Sequence, residues 1–388
     1  MLLAAGEIIV WAGLFYIFPA LLLRWESSFD WSRIELTGAV TLALSVSAIC
    51  SPFVGRFIDR GMGPRLVATG ALVGGMCVFL LSFLDALWQF YFLWAVIGFS
   101  LAACLYEPCF ILITRAYGKE AKKGIILVTL VAGFASTVSF PTAHLIAEQW
   151  GWPMVTRCFA IVVMAAGAPM LYVGAVIIER DGHGIVELHR DQPRAIVFLR
   201  NPVFCFMAVA FALLALVHGT TLHHLLPILS DRKLEIGSAV LVASLIGPMQ
   251  VAGRLVITVL SNRLSHKLIA YGCFLFIGIA LVFLYFSWFG FSVAITFALV
   301  FGSGYGVVSI IRPVIARDLL GDQHFGAKSG LLAFFYLAGS AAAPYTGSVI
   351  WAIGSYDLVL FVLWILTFAG FGLIHKAIIH SEQKQQLV

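Results

Sequence analysis

The chain reads SLAACLYEPCFILITRAYG over Ser100–Gly118 and GSGYGVVSIIRPVIARDLLG over Gly302–Gly321, two imperfect copies of one pattern. Glu107-Pro108 of the first copy falls on Arg312-Pro313 of the second. Both copies lie in long apolar stretches, where an ionised side chain costs about 2.5–3.5 kcal/mol on insertion scales. A carboxylate and a guanidinium at equivalent points of two repeats predict two pseudo-symmetric bundles in a membrane, with a polar cavity between them.

The repeat extends outward from this pair. Pro52-Phe53-Val54-Gly55-Arg56 matches Met249-Gln250-Val251-Ala252-Gly253-Arg254, and Phe18-Pro19-Ala20-Leu21-Leu22 matches Leu226-Pro227-Ile228-Leu229. Apolar runs long enough to cross ~30 Å of hydrocarbon as helices lie near residues 2–23, 34–57, 65–84, 88–115, 124–147 and 153–178. Six more lie near 201–229, 238–260, 267–287, 291–316, 327–352 and 356–379. The expected fold is an all-α membrane protein of twelve transmembrane helices in two six-helix bundles, residues 1–178 and 201–379, with a polar linker at 179–200 and a tail at 380–388. Lys and Arg gather on the side that holds both termini and the linker, which predicts that this side is cytoplasmic.

Composition agrees with lipid as the solvent. The chain is 61% hydrophobic and 11% charged, against roughly 25% charged in soluble domains. A net charge of +5, scattered along the chain, gives no nucleic-acid footprint. The seven cysteines sit in apolar runs without a C-x-x-C, so neither a disulfide framework nor a metal site is expected. The N-terminus has no charged leader or small-residue cleavage site and reads as the first spanning helix. No nucleophile elbow, zinc-protease helix or Walker A loop occurs, so neither enzyme chemistry nor a cofactor is expected.

The loop Gly55-Arg56-Phe57-Ile58-Asp59-Arg60-Gly61-Met62-Gly63-Pro64-Arg65 resembles the signature loop of the major facilitator superfamily, at the place where that family carries it. The resemblance implies a secondary transporter working by alternating access, in which Gly55, Asp59, Arg60, Gly63 and Arg65 gate and steady the outward-facing state. The second-half copy keeps Gly253-Arg254 but reads Ser261-Asn262-Arg263 without an acid, so Arg254 joins the gating set in an asymmetric latch. Phe29-Asp30-Trp31-Ser32-Arg33, Tyr106-Glu107-Pro108 and Gly151-Trp152 together look like the branch of monocarboxylate transporters and oxalate–formate antiporters. The carriers of that branch place an anion-binding Arg in the eighth helix, where this chain has only Arg254; Arg312 is the candidate substitute.

Candidate site residues follow from the polar groups in the apolar runs. Arg312 has the planar fork that suits a carboxylate, or it forms a structural pair with Glu107. Glu107 is a proton site or a permanent ionic partner. His218, His223 and His224 cluster before Pro227 as proton relays or as passive hydrogen-bonded rings. Tyr16, Tyr106, Gln250, Tyr305 and Tyr336 complete the substrate-binding set, while Glu7 reads as an acid that snorkels to the cytoplasmic face. The expected activity is symport of a small organic anion with a proton by a monomer in contact with lipids. The alternatives are proton-driven efflux of an amphipathic drug, siderophore or metabolite, and a non-transporting sensor or lipid scramblase.

Overall fold

In an apolar solvent each backbone N–H and C=O needs a partner from its own segment, which leaves helices as the available structure for these runs. The computed structural model describes residues 1–181, 196–260, 263–321 and 323–386. Most of the expected linker, the Ser261-Asn262 pair and the last two residues lie outside the described residues. The chain divides into two compact units, Met1–Leu188 and His189–Val388.

Unit 1 contains α1 (Leu2–Ser28), α2 (Arg33–Phe57), α3 (Gly63–Leu80), α4 (Leu87–Tyr117), α5 (Ala121–Trp150) and α6 (Trp152–Asp181). Unit 2 contains α7 (Pro202–His223, continued by Leu225–Asp231), α8 (Ile236–Leu260), α9 (His266–Tyr285), α10 (Phe291–Leu320), α11 (Phe325–Ile353) and α12 (Tyr356–Gln386). No strand occurs among the described residues.

By length and apolarity, ten segments among the described residues can cross a membrane, against the twelve expected. Two features account for the difference. Arg33–Phe83 runs as one segment through α2 and α3, because Gly61 turns the chain inside a helical wind at φ 76°. α11 is long enough, but Gly339, Ser340, Pro344, Tyr345, Thr346, Gly347 and Ser348 dilute its apolar run.

Three helix breaks precede a proline. A proline ring clashes with the carbonyl four residues earlier and cannot donate to it. Four residues before Pro19 is Phe15, and α1 is wound wide over Trp11–Phe15, with the Tyr16 N–H reaching Trp11 O at 3.0 Å. Four residues before Pro108 is Cys104, where the first segment of α4 ends; Leu105 is extended before the helix resumes at Tyr106. Four residues before Pro227 is His223, and α7 stops there before restarting at Leu225. Elsewhere the helix runs through its proline: Pro52, Pro141, Pro248 and Pro344 lie inside helical stretches, and α10 runs unbroken from Phe291 to Leu320 with Pro313 inside it. The repeated Glu107 and Arg312 therefore sit in different settings, one in the first turn of a new helical segment and the other in mid-helix.

Glycine sets how closely the helices approach. A Cβ on Gly98 of α4 would strike the Ala43 backbone of α2. In unit 2, Cβ atoms on Gly302 and Gly306 of α10 would strike the Ile246 and Gln250 backbone of α8, and one on Gly253 would strike Ser303. Gly55 has no such neighbour, since its Cβ would meet only Ile111 Cδ1 at 3.8 Å. In unit 1 the close approach is made at Gly98 rather than at Gly55.

Candidate functional site

Two of the three stretches that suggested the monocarboxylate branch, Phe29–Arg33 and Gly151-Trp152, build one end of unit 1. Ser32 caps α2 in a reciprocal box, with the Ser32 N–H donating to Glu35 Oε2 at 2.7 Å and the Glu35 N–H to Ser32 Oγ at 3.3 Å. Phe29 stacks on Trp31 with ring centroids 4.1 Å apart, and Trp152 packs against both Phe29 and Trp25. Arg33 pairs with Glu26 at 2.6 Å. These side chains close the α1–α2 turn onto the start of α6.

The signature loop lies at the opposite ends of the helices. Gly63 is buried against Leu112 of α4 and Glu179 of α6, where a Cβ would overlap Leu112 Cδ2. Arg115 of α4 donates to the Ile58 carbonyl and ties the loop to that helix. Asp59, Arg60 and Arg65 are exposed, and among the described residues Asp59 makes no ion pair. Arg254 is buried in unit 2 and donates from Nε to Gly306 O at 3.1 Å, which fastens α8 to α10 at their glycine contact.

Unit 2 brings several sequence candidates into contact. The His218 ring lies parallel to Tyr305 with centroids 3.2 Å apart and parallel to Phe301 at 5.5 Å. Tyr305 and Tyr336 share a hydrogen bond between their hydroxyls. The Arg312 guanidinium carbon sits 4.2 Å from the Tyr336 ring centroid. His218, Tyr305, Tyr336 and Arg312 thus form one contiguous row from α7 through α10 and α11. The ring face takes part of the guanidinium charge, and the in-plane N–H fork makes no hydrogen bond or ion pair within unit 2 among the described residues. Gln250 is buried on α8 beside Gly306.

The other two histidines are held differently. His223 is buried with Nδ1 2.8 Å from Gly219 O of its own helix. His224 is buried between two partners, Pro344 O at 2.9 Å from Nε2 and the Tyr356 hydroxyl at 3.1 Å from Nδ1. A carbonyl only accepts, so Nε2 carries the proton and Nδ1 accepts from Tyr356. His224 thereby joins α7 to α11 and α12. His224→Ala should lower stability by about 1–3 kcal/mol, read as a lower midpoint in thermal unfolding of the purified protein.

In unit 1, Tyr16 is buried at the interrupted part of α1 against Phe15 and Phe140. Tyr106 stacks on Phe110 and packs on Trp11 at 4.6 Å. Glu107 is exposed in the first turn of its helical segment, where the positive helix end favours a carboxylate. The buried acid is Glu7. It is fully buried rather than snorkelling, and it accepts from Cys109 Sγ at 2.6 Å. Hydropathy does not show which face of α1 is covered, and the partner lies 102 residues away.

A cavity of about 540 Å³ lies away from this row, lined by Asp231, Lys233, Glu235 and Trp288 where α7 meets α8 and α9 meets α10. Beside it Arg232 pairs with Asp357 and lies over the Tyr285 and Trp288 rings, tying the three loops of that end together.

Over 97% of its length the chain is similar to the crystal structure of a mutant of nucleoside transporter NupG, covering 99% of that chain with a TM-score of 0.71 at 13% identity. That likeness concerns the fold. No curated protein sequence matches the chain. Residues 3–344 match the model of the Major Facilitator Superfamily, so this multi-pass, all-helical membrane chain belongs to that family of transporters.

Proposed function

We propose that this transporter moves a small organic anion together with a proton, by alternating access of two six-helix bundles, residues 1–178 and 201–379, as a monomer with both termini in the cytoplasm. The observation that carries the reading is Arg312. An arginine in mid-helix of an apolar segment stays charged, and within its unit it has an aromatic face on one side and no carboxylate. The unused fork matches a carboxylate in two parallel hydrogen bonds. The row of Tyr336, Tyr305 and His218 holds the guanidinium's platform in place. The motifs at Phe29–Arg33, Tyr106–Pro108 and Gly151-Trp152 support kinship with the monocarboxylate and oxalate–formate branch.

The deciding experiment uses protein reconstituted in vesicles. Counterflow is measured with mono- and dicarboxylic acids, nucleosides and lipophilic cations, followed by accumulation under an imposed pH gradient. Carboxylate exchange with accumulation driven by inward proton flow is expected. Exchange of nucleosides or cations alone would overturn the reading.

The signature loop makes a separate expectation. An exposed Asp59 beside the Arg115-tethered carbonyl is placed to meet a basic partner in another state of the cycle. Asp59→Asn should slow transport by about tenfold, a loss of about 1.4 kcal/mol, with little change in substrate affinity. Equal rates at equal expression would remove Asp59 from gating.

A further inference from the structure

We propose that Glu7 is the proton-holding site of unit 1, loaded from water through Glu107 and read out by Trp11. The inference rests on the proton-coupled reading above and adds the residues that carry the proton. Glu7 Oε1 accepts from the Cys109 thiol at 2.6 Å, while Oε2 is buried with no hydrogen-bond partner among the described residues. An unpartnered ionised oxygen in an apolar site costs far more than an unpartnered hydroxyl, so Oε2 is the atom that carries the proton in this state.

The surroundings offer a second state. Trp11 Nε1 is another buried polar atom without a hydrogen-bond partner, one turn along the same helix, and it lies close enough to Glu7 to interact. With the proton gone, Oε2 can accept from Trp11; with it present, Trp11 is released. Trp11 begins the wide turn of α1 and packs on Tyr106. Its movement therefore passes the protonation state of Glu7 to the aromatic wall that leads to Glu107.

The titratable groups facing Glu7 all come from α4: Cys109 in contact, with Cys104 and Glu107 within electrostatic range. No titratable group from α5 or α6 interacts with it among the described residues. α6 closes the other side of α1, where a Cβ on Gly6 would strike Leu171 and one on Gly174 would strike the Leu3 backbone. The exposed Glu107 is then the entry: a proton from water binds its carboxylate, passes to the Glu7 carboxylate, and leaves Glu107 ionised. Mutual repulsion favours one proton shared by the two acids.

The test is infrared difference spectroscopy of purified protein between low and high pH, which needs no cargo. A protonated-carboxyl C=O band is expected in the wild type. It should vanish in Glu7→Gln and shift in Cys109→Ala and in Trp11→Phe, whereas Glu107→Gln should keep it but slow proton uptake after a pH jump about tenfold. In vesicles, pH-driven accumulation by Glu7→Gln should fall at least about tenfold. A band that survives in folded Glu7→Gln, or that is unmoved by both Cys109→Ala and Trp11→Phe, overturns the proposal, as does wild-type accumulation by Glu7→Gln. If the cargo is not an organic anion, counterflow shows it while the Glu7 band is still found, so the two failures are distinguishable.

Discussion

Arg312→Ala should abolish measurable binding of a carboxylate substrate. Removing one partner of a desolvated charge pair costs about 2–5 kcal/mol, or roughly 30- to 5,000-fold in Kd. Arg312→Lys should fall between the two, because the ammonium keeps the charge but lacks the planar fork and sits less well on the Tyr336 ring. Isothermal titration at fixed pH, with thermal unfolding as the folding control, reads both variants. A Kd within threefold of wild type for Arg312→Ala would place the anchor elsewhere. Tyr336→Phe offers a milder check, since it keeps the ring under the guanidinium and removes the hydroxyl that bonds Tyr305.

The second large effect is expected at a residue without a side chain. In Gly306→Ala the new methyl has to occupy space held by the Gln250 backbone, so α8 and α10 must part. Overpacking of this kind costs about 1–3 kcal/mol, and here the obstacle is main chain rather than a movable side chain. The same displacement loosens the Arg254 bond to Gly306 O. A marked fall in the unfolding midpoint is expected for Gly306→Ala, and a change near zero for Gly55→Ala, where the added methyl meets only Ile111 Cδ1. Equal midpoints for the two variants would contradict the packing described here.

The sequence made the repeat visible because chemistry recurs at the positions where backbone geometry recurs. Pro19 and Pro227 end up in matched interruptions of α1 and α7, and Tyr16 and His224 sit at those interruptions as the alignment implied. Glu107 and Arg312 were equally legible as a pair, but not the break at Leu105, since Pro108 disrupts α4 whereas Pro313 leaves α10 intact. His223 and His224 would point about 100° apart on a regular helix, and the sequence left them as proton relays or passive hydrogen-bonded rings. The helix stops between them, and each reaches a different carbonyl. Gly55 belongs to a recognisable motif, yet the tight contacts fall on Gly98 and Gly306, because which small residues face a neighbour depends on helix rotation rather than on motif. Glu7 was misread for the same reason: an acid near a terminus looks solvated until the elements that cover it are known.

That coverage arrives late in the life of the chain. α1 is made before α4, and Cys109 follows Glu7 by 102 residues. At ribosomal speeds of about 5–20 residues per second, the acid spends roughly 5–20 s without the thiol that receives it. During that interval α1 carries a carboxyl group with no partner, which opposes its partitioning into lipid. The first helix is therefore a reluctant passenger at the insertion machinery, and it settles fully only when α4 emerges beside it. Biogenesis of unit 1 should proceed as one delayed, cooperative entry rather than helix by helix, and a neutral residue at position 7 would let α1 commit to the bilayer early.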